Sequence, residues 1–290
     1  MANTVVWNKH DYVQRMRSRI DKPTCWKDIL DVQYSNVRTI VNGSLTTEPS
    51  VVGGTRGTAY AYEDFTLTAD TLTINQYYNI PIFIDEADRY QQNYVDQMKI
   101  ADFQGKKINE KLESLMLAAH GTNHTDYGAG DLAGTSTDDT TQITISAVNI
   151  DDLWRDIRRK LWANNGVDFA TENGVFIVWT ATEFSLLEGF AQANGFTEAD
   201  MALKSGIPVQ KGFYYGGVSH YLTTNQTANH RFAGIKRMGN LGILTATNGV
   251  AKFIEDPAKV SGLGIVARND HGFNWPSYYT QFNMDVNTST

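Results

Sequence analysis

Eight residues constrain this chain more than any others. Tyr94, Met98, Ala101, Gly105, Ile108, Leu112, Leu115 and Ala119 recur at alternating spacings of four and three, the period of one face of an α-helix. Asp102, Lys106, Lys107, Glu110, Lys111 and Glu113 fall between them. A helix over 94–119 would be about 39 Å long at 1.5 Å per residue, more than the diameter of a small domain. Such a rod needs an equally long support. A coiled coil would sustain branched residues at every a and d position, whereas this stripe mixes Ala and Gly with Leu and Ile. The predicted support is therefore a sheet, and Ala101 and Gly105 mark where a second backbone can come close. The acidic run Asp85-Glu86-Ala87-Asp88 precedes the helix, where carboxylates complement the positive end of its dipole. That reading outweighs a general acid/base cluster.

Upstream the chain reads as extended. Residues 41–57 are rich in Gly and Thr, with Gly53, Gly54 and Gly57, and resist regular structure. Tyr60, Tyr62, Phe65 and Leu67, then Leu72 and Ile74, alternate with polar residues about a turn predicted at Thr68-Ala69-Asp70-Thr71. Residues 77–84 are a second β-like run, in which Pro81 cannot donate to a ladder and so marks an edge or a kink. Together they predict a long two-stranded finger, marginal alone and in need of something to lie on.

Before the finger, residues 1–39 carry seven cations (Lys9, Arg15, Arg17, Arg19, Lys22, Lys27, Arg38) against four aspartates. This makes a +3 arm on a −10 body in a chain of net charge −7. Val13, Met16 and Ile20 supply its only helical spacing, a short helix at best. Two readings stay open: a solvated terminal segment, or an extended arm lying on a neighbouring acidic surface or facing nucleic acid.

Downstream the pattern is mixed α/β. A loop over 120–141 and a short strand over 142–145 lead to a helix with Asn149 as N-cap and Asp151 and Asp152 in its first turn. Its buried face is predicted to be Ile150, Leu153, Trp154, Ile157 and Leu161, with Asn164-Asn165-Gly166 as the stop. Residues 174–179 read as a buried strand. Thr180 and Glu183 form a capping box for a helix using Phe184, Leu187 and Phe190. Residues 209–224 read as one or two strands with a bulge, and 232–286 as short strands between Gly and Asn.

Composition and motifs exclude more than they assign. With 41% hydrophobic residues the chain can bury a sizeable core, so it is neither collagenous nor disordered. The acidic balance argues against a generally basic nucleic-acid binder. No run approaches the roughly 18 apolar residues of a membrane span, and residues 1–10 lack the apolar core of a secretory signal. The single cysteine, Cys25, cannot form an internal disulfide, which fits a reducing compartment. With no neighbouring His, it is a poor catalytic thiol. His120, His124 and Asp126 have metal-ligand chemistry, but Gly121 and the loop around it argue against the shared helical face such a pair needs. No nucleophile elbow, P-loop or dinucleotide fingerprint is present. Tyr77 and Tyr78 lack interleaved cations and so suit a core or a subunit interface better than base stacking. No catalytic residue, cofactor or metal site is expected.

The order of elements (basic arm, Gly-rich connector, β finger, long helix, α/β unit) resembles that of tailed-bacteriophage major capsid proteins with the Hong Kong 97-type fold. Three stretches carry the likeness. Ile82-Phe-Ile-Asp85-Glu-Ala-Asp88-Arg-Tyr-Gln91 is similar to the passage from extended loop into spine helix. Residues 150–165, 174–180 and 184–187 resemble the helix–strand–helix core. Residues 203–212 and 217–225 resemble the Gly-rich turn and the strand ending in Thr-Asn.

The resemblance implies an α+β fold with an N-terminal arm and connector (1–57), an extended β-hairpin loop (58–84) and a peripheral domain with its spine helix (85–120). An axial domain (121–249), peripheral return strands (250–275) and a C-terminal segment (276–290) follow. It also implies a structural, non-enzymatic subunit that self-assembles through hexamers and pentamers into an icosahedral virion shell. The shell would form in the host cytoplasm around double-stranded DNA, with scaffolding, portal and cement proteins as partners and no membrane. Inter-subunit contacts are then expected from Arg15, Arg17, Arg19, Arg38, Tyr60, Tyr62, Phe65, Leu67, Leu72 and Ile74. Some relatives crosslink through a lysine of the extended loop; no lysine lies between Lys27 and Lys99, so a non-crosslinked shell is expected. The lack of a long helical N-terminal extension suggests a separate scaffolding protein. The alternatives are an encapsulin-type nanocompartment and, from another class, a soluble α/β binding or catalytic domain.

Overall fold

The computed structural model describes residues 9–20, 25–45, 56–57, 67–85, 94–119, 123–193, 213–226, 229–255 and 262–289. In chain order its elements begin with α1 (Lys9–Ile20), α2 (Cys25–Ile29), β1 (Asp31–Ser35), β2 (Thr39–Leu45), β3 (Leu67–Thr73), β4 (Gln76–Asp85) and the spine helix α3 (Tyr94–Ala119). Then come β5 (Thr125–Tyr127), α4 (Ala129–Leu132), β6 (Ile143–Thr144), α5 (Ile150–Leu161), α6 (Val167–Asn173), β7 (Val175–Trp179) and α7 (Ala181–Ala193). The last group is β8 (Phe213–Tyr215), β9 (Val218–Leu222), β10 (His230–Ile235), β11 (Asn240–Leu244), β12 (Val250–Glu255), β13 (Gly262–Asn274) and β14 (Asn283–Ser289).

Two sheets organise the body. The first runs β1-β11-β13-β12, with β4 on the free flank of β13. β13 is long enough to hold three partners: β4 along Gly262–His271, β12 along its first half and β11 at its end. The spine helix lies along this sheet, as its stripe requires, with Ala101, Ile108 and Leu112 buried. Buried Gln104 sits in the same stripe and donates from Nε2 to the Ile80 carbonyl of β4 (2.9 Å). Pro81 lies opposite Val266 on β4, which among the described residues pairs with β13 alone, so the edge position expected of it holds.

The second sheet runs β5-β14-β10-β7-β9-β8, with β6 also on β14. β7 is central and all five of its residues are buried. α5 buries the five residues expected of it, Ile150, Leu153, Trp154, Ile157 and Leu161. At α7, Glu183 accepts hydrogen bonds from the Thr180 main-chain N–H (3.0 Å) and hydroxyl (2.8 Å), which is the Glu183 half of the expected capping box. The same buried carboxylate receives Arg231 Nε of β10 at 2.7 Å, fixing the helix to the sheet. Gly216 and Gly217, at φ 59° and 82°, make the two-residue turn between β8 and β9 that only left-handed backbone allows.

Several sequence expectations are corrected. Thr68-Ala69-Asp70-Thr71 is not a turn but the interior of β3, which pairs with β2 from Leu45↔Leu67 to Thr39↔Thr73. The paired strands are therefore 39–45 and 67–73, and the 77–84 run belongs to the first sheet. Asn164-Asn165-Gly166 does not stop a helix, because a π-helical turn over Trp162–Gly166 carries the chain into α6. Asn149 is the N-cap residue of α5 as expected, but without a side-chain capping bond; its Oδ1 accepts instead from the Ser146 main-chain N–H. The C-terminal segment is not separate, since β14 lies between β5 and β10. β11, placed in the axial unit by sequence, joins the first sheet beside β1.

Candidate assembly surface

The N-terminal arm is built onto its own subunit. Tyr12, Met16 and Ile20 are buried, a four-residue spacing that the sequence reading missed by pairing Met16 and Ile20 with half-exposed Val13. They pack on the spine helix where Gly105 permits it: a Cβ there would lie 2.6 Å from the Met16 carbonyl oxygen. Polar anchors complete the joint. The Tyr12 hydroxyl donates to Gln104 Oε1 (2.6 Å) and Trp26 Nε1 to Asn109 Oδ1 (2.6 Å). The buried Cys25 thiol donates to Glu113 Oε1 (3.0 Å), and burial with that nearby carboxylate pushes its pKa well up, as suits an inert thiol. Glu113 also accepts from Asn225 (3.2 Å), and the Tyr221 hydroxyl donates to Asp28 (2.7 Å). α2 thus joins the spine helix to the second sheet.

The charged ends of Arg15 and Arg17 bond outside this joint. Arg15 pairs with Asp102 at 2.7 Å across a solvated surface, and Arg17 Nε donates to the Asn248 carbonyl (3.1 Å). The Arg19 stem covers Gly105.

The β2–β3 hairpin is a contrast. Among its described residues the base is covered: Leu72 and Ile74 are buried over Gly242 of β11, with side-chain atoms 3.0 and 3.1 Å from where a Cβ would stand. Asp270, itself buried, receives Arg268 Nε (2.6 Å) and Nη2 (3.0 Å) and pairs with Arg38 (3.4 Å) beside that base. Further out, Val41 is 62% exposed. Leu72 and Ile74 are therefore corrected from neighbour contacts to the anchor of the hairpin in its own subunit. Tyr60, Tyr62 and Phe65 lie outside the described residues, as does His120.

Other apolar surface is presented to solvent. On β4, Tyr77 and Phe83 each expose over half of their surface, so Tyr77 is not core, while Tyr78 is half-buried against His271 (4.4 Å between rings). Phe103 of the spine helix and Tyr214 at the β8–β9 turn are also exposed. Nothing among them offers a nucleophile–base pair. Among the described residues no helix is long and apolar enough to cross a membrane.

A spine helix backed by a sheet, a long hairpin rooted on that sheet and a separate mixed sheet flanked by helices together define the Hong Kong 97-type capsid fold. The comparisons with known proteins agree. No family model and no curated protein matches the sequence, but solved structures do. The capsid of an empty GTA particle superposes with a TM-score of 0.64 at 10% identity, covering 100% of both chains. The capsid of Ralstonia phage GP4 gives 0.61 at 11% identity over 90% of this chain and 86% of that one. A virus-like particle from Pyrococcus furiosus gives 0.60 at 9% identity over 97% and 100%. The chain has the capsid fold from end to end.

Proposed function

We propose that this protein is the major capsid protein of a tailed bacteriophage, a non-enzymatic subunit that assembles through hexamers and pentamers into the icosahedral shell around double-stranded DNA. The observation that carries this reading is the likeness of fold to capsid shells, over the full length of both chains for the empty GTA particle. In this reading 39–73 is the extended loop that reaches a neighbouring copy, through Tyr60, Tyr62, Phe65 and Leu67. Leu72 and Ile74 hold its root. Arg15, Arg17, Arg19 and Arg38 present cations to the acidic surface of the next subunit. Repetition by symmetry lets weak contacts of this kind add to a stable particle. The virion shell would be completed by portal, scaffolding and cement proteins.

Electron microscopy and size-exclusion of the purified chain test this directly. Closed shells are expected, and a stable monomer or dimer with no larger assemblies overturns it. Cargo separates it from a nanocompartment of the same fold: nucleic acid in particles from infected cells supports the phage reading, a packaged enzyme the other. Because no lysine lies between Lys27 and Lys99, boiling particles in denaturant should release a single monomer band, and a covalent ladder contradicts a non-crosslinked shell.

A further inference from the structure

A separate chemistry gathers on the second sheet, away from the hairpin. The parallel register of β14 and β5 sets Asp285 directly opposite Asp126. On its other side Asp285 faces Phe232 of β10, two residues from His230. Alternate residues of a strand share a face, so His124, Asp126, Asp285 and His230 converge there. One ligand atom from each of His124, Asp126 and Asp285 lies within 4.8 Å of the others. His124 Nε2 stands 3.5 Å from Asp126 Oδ1, and His230 Nδ1 2.7 Å from Asp285 Oδ2. Asn287 Nδ2 donates to Asp126 Oδ1 (3.3 Å).

Two carboxylates opposed across one strand pair repel each other, and Asp285 is buried. Lys160 reaches only the main-chain carbonyl of Asp126 (3.3 Å) and pairs its charge with Asp131 (2.8 Å). Tetrahedral ligands at bond lengths of about 2.0–2.2 Å stand roughly 3.3–3.5 Å apart, the separation His124 and Asp126 already have. His230 is too close to the Asp285 oxygen it bonds to share an ion with that atom. It fits the outer role of orienting a ligand, as Asn287 does for Asp126. An imidazole beside two carboxylates suits a transition-metal ion better than calcium or magnesium, which take all-oxygen shells.

We propose that His124, Asp126 and Asp285 bind one divalent transition-metal ion of the zinc class, with His230 and Asn287 holding the carboxylates and water completing the shell. The ion would clamp β5, the first strand after the spine helix, to the C-terminal strand β14.

The test uses the full chain, stripped with chelator and titrated with Zn2+ by calorimetry, metal content being read by mass spectrometry. One Zn2+ per chain is expected, retained in excess Ca2+, with a raised thermal midpoint. His124→Gln, at a partly solvated position that leaves the sheet intact, should weaken binding about 100-fold, and His230→Gln about tenfold. Circular dichroism confirms that both variants fold. Absence of stoichiometric Zn2+ binding, or binding unchanged in His124→Gln, overturns the site. Displacement by equimolar Ca2+ overturns the choice of metal.

Discussion

The two N-terminal helices and the β2–β3 hairpin precede the spine helix in sequence, and both read as segments that need a neighbour. The structure treats them oppositely. α1 and α2 bury Tyr12, Met16, Ile20, Trp26 and Ile29 within their own subunit, while among the described hydrophobic residues of the hairpin and its root Leu72 and Ile74 are the buried ones. The difference lies in the partner. The spine helix offers the arm a small residue, Gly105, and buried polar side chains, Gln104 and Asn109, that accept from Tyr12 and Trp26. The hairpin meets Gly242 and Gly272 at its root, with Asn274 Nδ2 donating to Asp70 of β3 and Arg38 pairing with Asp270 (3.4 Å). A segment with aromatic anchors and matched acceptors belongs to the fold; one anchored at its base, with Val41 exposed further out, is the candidate for contact with a neighbour under the proposed function.

The strongest way to break this comparison is at Trp26. Its removal leaves a large cavity and takes the indole donor from buried Asn109, so Trp26→Ala should destabilise the unassembled subunit by about 3–5 kcal/mol. Urea denaturation checks it; a loss below about 1 kcal/mol would mean that α2 is not part of the body.

Acid should produce the next largest effect. His220 on β9 is buried between Trp154 and Trp179, accepts from Trp179 Nε1 at 3.0 Å, and burial lowers its pKa from 6.5 to about 3. The unfolded chain takes up this proton as pH falls through 6.5, whereas the folded chain holds it off until about 3. The stability that neutral His220 contributes is therefore complete above pH 6.5 and declines below it, by roughly 1.4 kcal/mol per pH unit. His220→Gln should show a flatter acid limb between pH 6 and about 4, the shared carboxylate titrations cancelling in the difference. Since Tyr221, the next residue, holds Asp28 of α2, hydrogen exchange should show α2 loosening in acid along with the sheet while the hairpin strands do not follow.

A finer probe of the arm is Gly105→Ala. The added methyl meets Met16 carbonyl oxygen and the Arg19 stem, an overpacking cost of about 1–3 kcal/mol offset by up to about 1 kcal/mol of helix propensity. A net gain in thermal midpoint would show that α1 rests loosely on the spine.

How legible these features were depended on the range of the forces behind them. The bounds of the spine helix and the buried face of α5 were legible because periodicity is local, although Met98 and Leu115 of the spine stripe are only partly buried and Gln104, Met116 and Leu117 are buried beside it. The arm was misjudged by one position, Val13 for Tyr12, since a phenolic ring was not counted as a core anchor. Thr68–Thr71 has turn-forming composition, yet pairing with β2 overrides it. The C-terminal strand was hidden by its polarity: Asn283, Asp285, Asn287 and Thr288 are buried, and a strand this polar is stable only because two neighbours flank it. The candidate metal cluster was half visible. His124 and Asp126 sit together in sequence, but Asp285 arrives by a strand pairing that no local pattern records.

The smallest effect on the subunit carries the most weight for assembly. Val41 is exposed and lies opposite Thr71 in the hairpin, so Val41→Ser should change the stability of the free subunit by less than about 0.5 kcal/mol. If the hairpin lies on a neighbouring copy, the same change removes apolar burial of about 1.5–3 kcal/mol per contact. Each 1.4 kcal/mol is a factor of about ten in an equilibrium constant, so the concentration needed to form particles should rise at least severalfold. Light scattering across a dilution series reads this separately from denaturation. A subunit weakened with assembly unchanged would reverse the roles given to the hairpin and the arm.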